Sequence, residues 1–408
     1  MSDLLNDFLQ GLSKPATRAK VDNFLQSYGL SQNPFPPNRT IVPEIIYGQD
    51  RCVKQFLSTT AEILNSKEPQ RRALAVVAGT GGGKTHFLSY CNFAFPQVSS
   101  KFGQKFVQSS FIAGSGKMID LLRNILRDAD EFCKKSDGCD FLTALVGELS
   151  FSKERQKYVE TIAIPEVREC IKKLLEGYSS SSQLNSKFDL LLGNARKWIN
   201  AETLSPAEKR QLGVLSRIST PAIAVKVIRE LFSLARKLNV FHGLFLSIDE
   251  IESLFTRGLS PAQIQAFLQD IRYFYDESVR DNQGFDLLLV TASTTTGASN
   301  LIRFNQPMYQ RFGYEKDVVL LLSQIDSVGA AIEFAHRYID YYASKWKDEN
   351  PKSTRANPAH NIITAKEIEA AFNSASSGTG RVAPGALLDI LHKVIQDKRG
   401  ASNIQPAT

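Results

Sequence analysis

A glycine-rich stretch at residues 78–85 is the feature that most constrains how this chain can fold. It runs Ala-Gly-Thr-Gly-Gly-Gly-Lys-Thr and continues the apolar run ALAVVA of residues 73–78. A short apolar run with β-branched residues predicts a buried parallel strand, and the apolar-rich HFLSYCNFAF that follows predicts a helix. Glycines between a strand and a helix let successive backbone N–H groups converge on an anion. The order of elements therefore predicts a phosphate-binding loop and not an ordinary glycine-rich turn.

The predicted loop offers a cation and a metal-binding hydroxyl. Lys84 can reach the β and γ phosphates of a nucleotide, and the Thr85 hydroxyl can ligate Mg²⁺. We expect ATP to contact the loop and the residue after it, namely Gly79, Thr80, Gly81, Gly82, Gly83, Lys84, Thr85 and His86. A similar sequence, Ala113-Gly-Ser-Gly-Lys117, is followed by Met118 and lacks the hydroxyl, so we reject it as a second nucleotide loop.

Two adjacent carboxylates end a second apolar strand. Residues 243–250 run Gly-Leu-Phe-Leu-Ser-Ile-Asp-Glu. Acidic side chains at the end of a buried strand are costly unless a cation compensates them, and Mg²⁺ with bound ATP would supply that charge. Asp249 would hold the metal through water, and Glu250 would orient and deprotonate the attacking water. The alternative is a strand that runs into an acidic helix cap, because Glu252 follows.

Bulk composition fits a large globular protein. The 408 residues are 43% hydrophobic and 22% charged, with a net charge of +7. No run approaches the roughly 18 apolar residues that a membrane span needs, and the N-terminus does not resemble a secretion signal. The five scattered cysteines match no zinc-site spacing. We expect reduced thiols in a cytoplasmic protein that makes no contact with a membrane.

The order of these elements resembles the AAA+ ATPases, in the branch that holds replication initiators, transposition-regulator ATPases and ATPases of phage-exclusion systems. The resemblance implies an α/β fold with a P-loop core and a parallel sheet, a long helical insertion and a C-terminal helical lid. The predicted domains are an N-terminal helical segment with a Pro-rich connector, a core with its insertion at about 118–240, a lid and a tail, at residues 1–40, 41–323, 324–398 and 399–408. Helices are predicted at 3–12 and 17–28 of the N-terminal segment, and at about 326–346, 364–376 and 384–397 of the lid. In the insertion, apolar positions recurring every three or four residues predict helices from 118 and at 154–177, 186–200, 206–217 and 221–238, with an exposed turn at 179–182.

The resemblance also assigns roles to residues outside the two motifs. Ser293 or Thr294, at the end of a third apolar strand, matches the first sensor position. Arg311 matches the arginine finger, which would reach the γ-phosphate of a neighbouring subunit in a homo-oligomer. Arg381, which opens the last lid helix, matches the second sensor. Tyr47 ends a segment, residues 41–47, that is similar to the box around adenine.

Three of these assignments have a structural alternative. Ser293 and Thr294 could form an ordinary strand-to-turn ending, and Arg311 could be a surface arginine, with Arg303 as a weaker competitor for the finger. Arg381 could be a solvent-exposed arginine at a helix entry.

The insertion and the N-terminal segment leave open what the protein acts on. Residues 131–240 hold 18 Lys plus Arg against 13 Asp plus Glu, which suits a surface that faces DNA or an acidic partner. The alternative is a solvated helical bundle, because the two charges interleave. The N-terminal 40 residues could clip onto a neighbouring subunit or dock on their own core.

Together these features predict an Mg²⁺-dependent ATP hydrolase of AAA+ type that switches or drives an oligomeric assembly. One hypothesis is a DNA-associated ATPase of mobile elements, replication or antiviral phage defence. A second is an ATP switch that gates or recruits a partner effector protein without binding DNA. A third, an inactive ATP-binding scaffold, fits poorly because Lys84, Asp249 and Glu250 are all present.

Overall fold

The computed structural model describes residues 23–37, 40–179, 186–280, 283–314, 319–376 and 379–402. These residues divide into two compact units. Unit 1 comprises the described residues up to Gly48, the loop glycines 81–83 and the described residues from Ser323 onward. Unit 2 comprises Gln49–Thr80 and the described part of Lys84–Leu322. The predicted helix at residues 3–12 lies outside the described part of the chain.

Helices dominate both units. In chain order they are α1 (Asn23–Ser27), α2 (Asp50–Leu64), α3 (Lys84–Lys101), α4 (Met118–Asp137), α5 (Phe141–Phe151), α6 (Arg155–Glu160), α7 (Pro165–Ser179), α8 (Ser186–Ile199), α9 (Pro206–Leu212), α10 (Pro221–Lys237), α11 (Ser253–Thr256), α12 (Pro261–Ser278), α13 (Thr295–Phe304), α14 (Gln306–Arg311), α15 (Val328–Glu349), α16 (Ala365–Ser376) and α17 (Pro384–Ser402). The strands are β1 (Arg71–Val77), β2 (Phe106–Ile112), β3 (Gly243–Asp249), β4 (Val279–Arg280), β5 (Gln283–Gly284), β6 (Asp286–Ser293) and β7 (Val319–Leu321).

A five-stranded parallel sheet forms the centre of unit 2, in the order β2-β3-β6-β1-β7. The apolar runs explain this arrangement, because strands covered on both faces carry almost continuous hydrophobic residues. Every residue of β6 is buried, and in β3 all but Asp249 are buried. β4 and β5 form a separate two-stranded antiparallel hairpin. The predicted fold class, an α/β core with a parallel sheet and a helical C-terminal region, is confirmed.

Helix α3 follows the glycine-rich stretch directly and lies against the sheet. Its side chains Phe87, Leu88, Cys91 and Phe95 are buried. The ring of Phe95 stacks on Phe245 of β3 at a centroid distance of 4.6 Å. This packing holds the first turn of α3, which begins at Lys84, beside the end of the neighbouring strands.

Helices α4–α10 form the insertion between β2 and β3, and two of its helix predictions were wrong. The predicted helix at 154–177 is two helices, because Pro165 lacks a backbone N–H and restricts the residue before it. The predicted helix at 206–217 ends at Leu212, where Gly213 takes a left-handed conformation with φ of 71°. Helix α5 was not predicted, because its apolar residues surround the helix and show little periodicity. The predicted turn at 179–182 falls largely outside the described residues.

Aromatic side chains form the centre of the insertion core. Phe232 lies 5.6 Å from Phe141, 4.9 Å from Phe241 and 5.1 Å from Phe285, between ring centroids. Phe285 immediately precedes β6. The insertion therefore shares a core with the sheet and is not a loosely tethered appendage.

Unit 1 is built on α15, α16 and α17, close to the three helical stretches predicted at 326–346, 364–376 and 384–397. The connector before residue 40 docks on these helices. The Asn33 side chain donates to the carbonyl of His392 at 3.0 Å, and the backbone carbonyl of Phe35 lies 2.6 Å from Nδ1 of His392. Leu25, Leu30 and Phe35 are buried in the core of the unit. The described part of the N-terminal segment thus packs on its own chain.

Two expectations from composition can be compared with the structure. All five cysteines have free thiols. Among the described helices, none is long and apolar enough to cross a lipid bilayer.

Candidate active site

The candidate site lies where three parallel strands of unit 2 end. The register pairs Val77, the last residue of β1, with Ser293, the last residue of β6, and Ile248 of β3 with Thr291 of β6. The carboxyl ends of parallel strands meet at one edge of a sheet, and ligands of such sheets bind in the crevice outside that edge. Lys84, Asp249 and Ser293 are therefore brought to the same edge although they are far apart in sequence.

The glycine-rich loop has the backbone conformations that its composition predicts. Gly81 and Gly83 have φ of 71° and 86°, in the left-handed region that favours glycine. Gly79 and Thr80 are exposed, Gly82 is buried and His86 is half-buried. A Cβ built at Gly81 would lie 3.7 Å from the Cβ of Ala383, which belongs to the same unit.

The Lys84 ammonium points back toward its own loop. Nζ lies 3.5 Å from the carbonyl oxygen of Ala78 and 3.4 Å from that of Gly79. Both hydrogen bonds are long, so they hold the ammonium weakly. The side chain of Lys84 is only 11% exposed.

The side chains of Thr85 and Asp249, both predicted to hold Mg²⁺, are in direct contact. The Thr85 hydroxyl donates to Oδ2 of Asp249 at 2.7 Å, across 164 positions of sequence. A hydroxyl oxygen and a carboxylate oxygen side by side are hard oxygen donors, the type that Mg²⁺ prefers when it keeps several waters and binds substrate phosphates. The pair therefore fits the predicted Mg²⁺ site in its chemistry.

Glu250 has a strained backbone and an exposed carboxylate. Its φ of 55° is left-handed, which is uncommon outside glycine and is found at functional sites. Its backbone N–H donates to Oδ1 of Asp249 at 2.8 Å. Its carboxylate pairs with Arg257 at 3.2 Å, and both side chains are about half exposed.

Arg257 was not singled out from the sequence. Its guanidinium lies over Gly114, where an added Cβ would overlap it. The sequence Ala113-Gly-Ser-Gly-Lys117, rejected as a nucleotide loop, thus makes room for the arginine that pairs with Glu250. The two glycines of this turn are the signal in the sequence of such a close approach.

Glu252 contacts two residues of the candidate site, and the sequence suggested for it only a place in an acidic helix cap. Its Oε1 lies 3.6 Å from Nζ of Lys84, and its Oε2 accepts the backbone N–H of Thr294 at 3.0 Å. The alternative considered from the sequence was an acidic helix cap, and Glu252 does precede the short helix α11. Its side chain, however, caps α13, whose N-cap residue is Thr294.

The two candidate sensor hydroxyls both have protein partners. The Ser293 side chain is fully buried, and its Oγ accepts the Tyr314 hydroxyl at 2.7 Å. Burial raises the pKa of Tyr314 to about 12. The Thr294 hydroxyl accepts the backbone N–H of Gly297 at 3.0 Å, which leaves its own proton for another acceptor. The geometry therefore favours Thr294 over Ser293 as a group that a ligand could reach.

Arg311 lies at the end of α14, and its Nε is 3.5 Å from Oδ1 of Asp276. Arg71 and Arg272 also lie within 4 Å of the Asp276 carboxylate, at 3.9 and 3.6 Å. Three guanidinium groups therefore share this one acid. Arg303, the weaker candidate, is exposed on α13.

Tyr47 and Arg381 belong to unit 1. The Tyr47 hydroxyl donates to Glu333 at 3.0 Å, and the guanidinium of Arg337 lies 5.1 Å from its ring centroid. Burial, followed by the hydrogen bond to Glu333, raises the pKa of Tyr47 to about 12. Arg381 is exposed, and its backbone N–H donates to the Thr379 hydroxyl at 3.4 Å. Their roles at a nucleotide remain predictions.

Comparison with known proteins gives a distant structural likeness. No protein-family model matches the chain, and no curated protein matches it. The chain is similar to the Aeropyrum pernix ORC1 protein, solved in complex with DNA, with 13% identity and a TM-score of 0.41 over 89% of this chain and 63% of that one. It is also similar to the Aeropyrum pernix ORC2 protein, solved in ADPNP-ADP complexes, with 11% identity and a TM-score of 0.43 over 92% of this chain and 73% of that one.

Identities of 11–13% are too low to assign the chemistry of the site, which rests on the residues of this chain.

Proposed function

We propose that the chain is an Mg²⁺-dependent ATP hydrolase that switches an oligomeric assembly. The observation that supports this most is the 2.7 Å contact between the Thr85 hydroxyl and Asp249, which joins the predicted loop to the predicted metal-binding strand. Lys84 and Glu250 adjoin this pair in sequence. A cation for phosphate, two oxygen donors for a metal and a carboxylate for water are the groups that ATP hydrolysis needs.

Each group has one role in the proposed reaction. Lys84 binds the β and γ phosphates, and Thr85 with Asp249 would hold Mg²⁺, which would neutralise charge on the phosphates. Glu250 accepts a proton from the attacking water as its oxygen bonds to the γ-phosphorus. The bond between that phosphorus and the bridging oxygen breaks, and ADP and phosphate leave. Thr294, whose hydroxyl can donate its own proton, contacts the γ-phosphate.

Residues away from this centre would couple hydrolysis to assembly. Arg311 of one subunit reaches the γ-phosphate of the next in a homo-oligomer. Its contact with Asp276 is long, at 3.5 Å, and Asp276 is shared with two other arginines, so this contact can be given up at small cost. Arg381 contacts the nucleotide from the lid, and Tyr47 lies at the adenine. Loss of the γ-phosphate then loosens the contact between subunits.

The nucleotide site is tested by replacing Lys84. We expect Lys84→Ala to weaken ATP binding at least about 100-fold, because it removes charge-assisted hydrogen bonds worth about 1.5–3 kcal/mol each. Lys101→Ala, at the exposed end of the same helix, is the matched control and should bind ATP normally. Calorimetric titration with a nonhydrolysable ATP analogue measures both. Full affinity in Lys84→Ala would overturn the assignment.

Association with DNA is the first candidate for the target. The net charge of +7 and the excess of basic residues in 131–240 support it. Retention on a DNA column that weakens steeply with salt, and assembly that needs both ATP and DNA, are the expected results. Retention that does not respond to salt would argue against DNA.

A protein-directed switch is the second candidate, and the ion pairs of the insertion favour it. Exposed lysines there pair with nearby acids at 2.7–3.0 Å, namely Lys134 with Glu131, Lys157 with Glu154, Lys172 with Glu169, Lys173 with Glu176 and Lys197 with Glu208. Paired lysines offer phosphates less charge than their number suggests. Assembly that depends on ATP but not on DNA would support this candidate.

A further inference from the structure

Glu252 joins two groups of the candidate site that come from different strands. One carboxylate oxygen pairs with Lys84 of the loop after β1, and the other accepts the backbone N–H of Thr294 at the end of β6. The pair with Lys84 is largely shielded, since the two side chains are 11% and 25% exposed. Solvent and salt weaken such a pair less than they weaken an exposed one.

The position of Glu252 is fixed by its surroundings. The neighbouring Ile251 N–H donates to the carbonyl of Ala292 in β6 at 3.1 Å, which ties this segment to the sheet. A Cβ added at Gly297 would lie 3.0 Å from the Cβ of Glu252, so the glycine makes room for the close approach. The carboxylate also lies at the N-terminus of α13, where negative charge is favourable. Lys84, on its flexible stem, is therefore the partner that moves more easily.

We propose that Glu252 is a positioning residue that competes with the terminal phosphate of the nucleotide for the ammonium of Lys84. This inference rests on the proposed function of the same site. A phosphate that reaches Lys84 has to share or take over the ammonium, and it brings negative charge toward a carboxylate that is held in place. Glu252 thereby lowers the affinity for a triphosphate. Because its other oxygen accepts the Thr294 N–H, Glu252 also links the ion pair of Lys84 to the backbone of Thr294.

The substitution Glu252→Gln separates charge from shape. The glutamine oxygen can still accept from Thr294, so we expect the fold to be kept. Without the competing charge, the nonhydrolysable ATP analogue should bind about tenfold tighter, and ADP, which lacks the terminal phosphate, should change less. A residue with a merely structural role would not alter the ratio of the two affinities. Glu62→Gln is the matched control, because Glu62 pairs with Arg72 on the exposed surface of the same unit.

A double variant tests whether the effect passes through Lys84. In Lys84→Ala, adding Glu252→Gln should give much less than the tenfold gain, because the ammonium for which the two anions compete is gone. If Lys84→Ala loses ATP affinity but Glu252→Gln binds no more tightly than the unmodified chain, the role of Glu252 is overturned and the nucleotide site stands. If Lys84→Ala keeps full affinity, the proposed function itself fails. Should Glu252→Gln not fold, Glu252→Asp keeps the charge one methylene further from Lys84 and is expected to show a smaller gain of the same sign.

Discussion

Glu250 combines a strained backbone with an exposed carboxylate. Its left-handed backbone turns the chain immediately after a buried strand, and its N–H is held by Asp249 at 2.8 Å. A non-glycine residue in this conformation costs of order 1 kcal/mol or more, so the surrounding structure must enforce it. The carboxylate is directed to solvent, where it pairs with Arg257 in an exposed ion pair that contributes little to stability. It can therefore exchange that partner for water at small cost.

The proposed role of Glu250 as a general base leads to a prediction about turnover. Glu250→Gln should bind ATP normally but lower the hydrolysis rate by about 10²–10⁴-fold, because an amide cannot accept the proton of the attacking water. Single-turnover hydrolysis measures the rate, and calorimetric titration measures binding. The control is Glu148→Gln, an exposed acid on α5 of the insertion. Normal turnover in Glu250→Gln would remove the role as base.

Among the elements, α5 illustrates how the insertion is anchored. Asp140 is its N-cap and accepts the backbone N–H of Thr143 at 3.2 Å, and it also pairs with Arg196 of α8 at 2.7 Å. Burial alone would raise the pKa of Asp140, but the hydrogen bonds from Thr143 and the charge of Arg196 outweigh it and lower the pKa. One buried carboxylate thus caps a helix and joins it to a second helix.

This arrangement predicts a pH-dependent contribution to stability. The pKa of Asp140 is lower in the folded state than in the unfolded state, where it is about 3.9. The ionised carboxylate therefore adds to the free energy of unfolding in full above about pH 3.9, and this contribution is lost as the pH falls through the folded-state pKa. Asp140→Ala should lower the free energy of unfolding by about 1–2 kcal/mol near neutral pH, through loss of the cap. Asp140→Asn, which can still cap the helix, should cost less. Denaturant unfolding at pH 7 and pH 3 measures the free energy of unfolding of the unmodified chain and of both variants. If Asp140→Ala lowers that free energy equally at the two pH values, the predicted pH dependence is wrong.

At the scale of the whole molecule, the proposed reaction needs a residue from another copy of the chain. Arg311 pairs with Asp276 in its own subunit, at a long 3.5 Å and in competition with two other arginines. A guanidinium held this weakly can reach another subunit without breaking a strong contact. The connector residues Asn33 and Phe35 contact α17 of their own chain, so they do not indicate contact between copies. Arg311 is the residue on which the proposed contact between copies rests.

Mixing of variants tests whether Arg311 acts in trans. Arg311→Ala alone should lower hydrolysis by about 10³-fold or more, as removal of an arginine finger does. Mixtures of Arg311→Ala with Glu250→Gln should regain part of the activity, because one interface in the assembly then holds both an intact base and an intact finger. Arg303→Ala is the control, since Arg303 lies exposed on α13. The absence of rescue at every mixing ratio would contradict this geometry.

Local sequence was enough to predict the elements that carry the chemistry. β1, β3 and β6 are apolar runs that end in turn or polar residues, and α3 follows four glycines and Lys84. The insertion was predicted less well, because α5 is apolar on all sides and Pro165 interrupts a helical pattern. The first failure reflects burial on every side of a helix, and the second reflects a local break by proline within a periodic pattern.

By itself, the sequence determined that a strand, a glycine-rich loop and a helix follow one another, and that two acids end a second strand, because each of these features depends on residues that are adjacent in the chain. Tertiary structure alone decided which side chains meet there. It joined Thr85 to Asp249 across 164 positions, gave Lys84 and Thr294 a shared partner in Glu252, and placed Arg257 over Gly114 beside Glu250. The physical reason is that such pairs depend on the order and register of parallel strands, which no local pattern specifies.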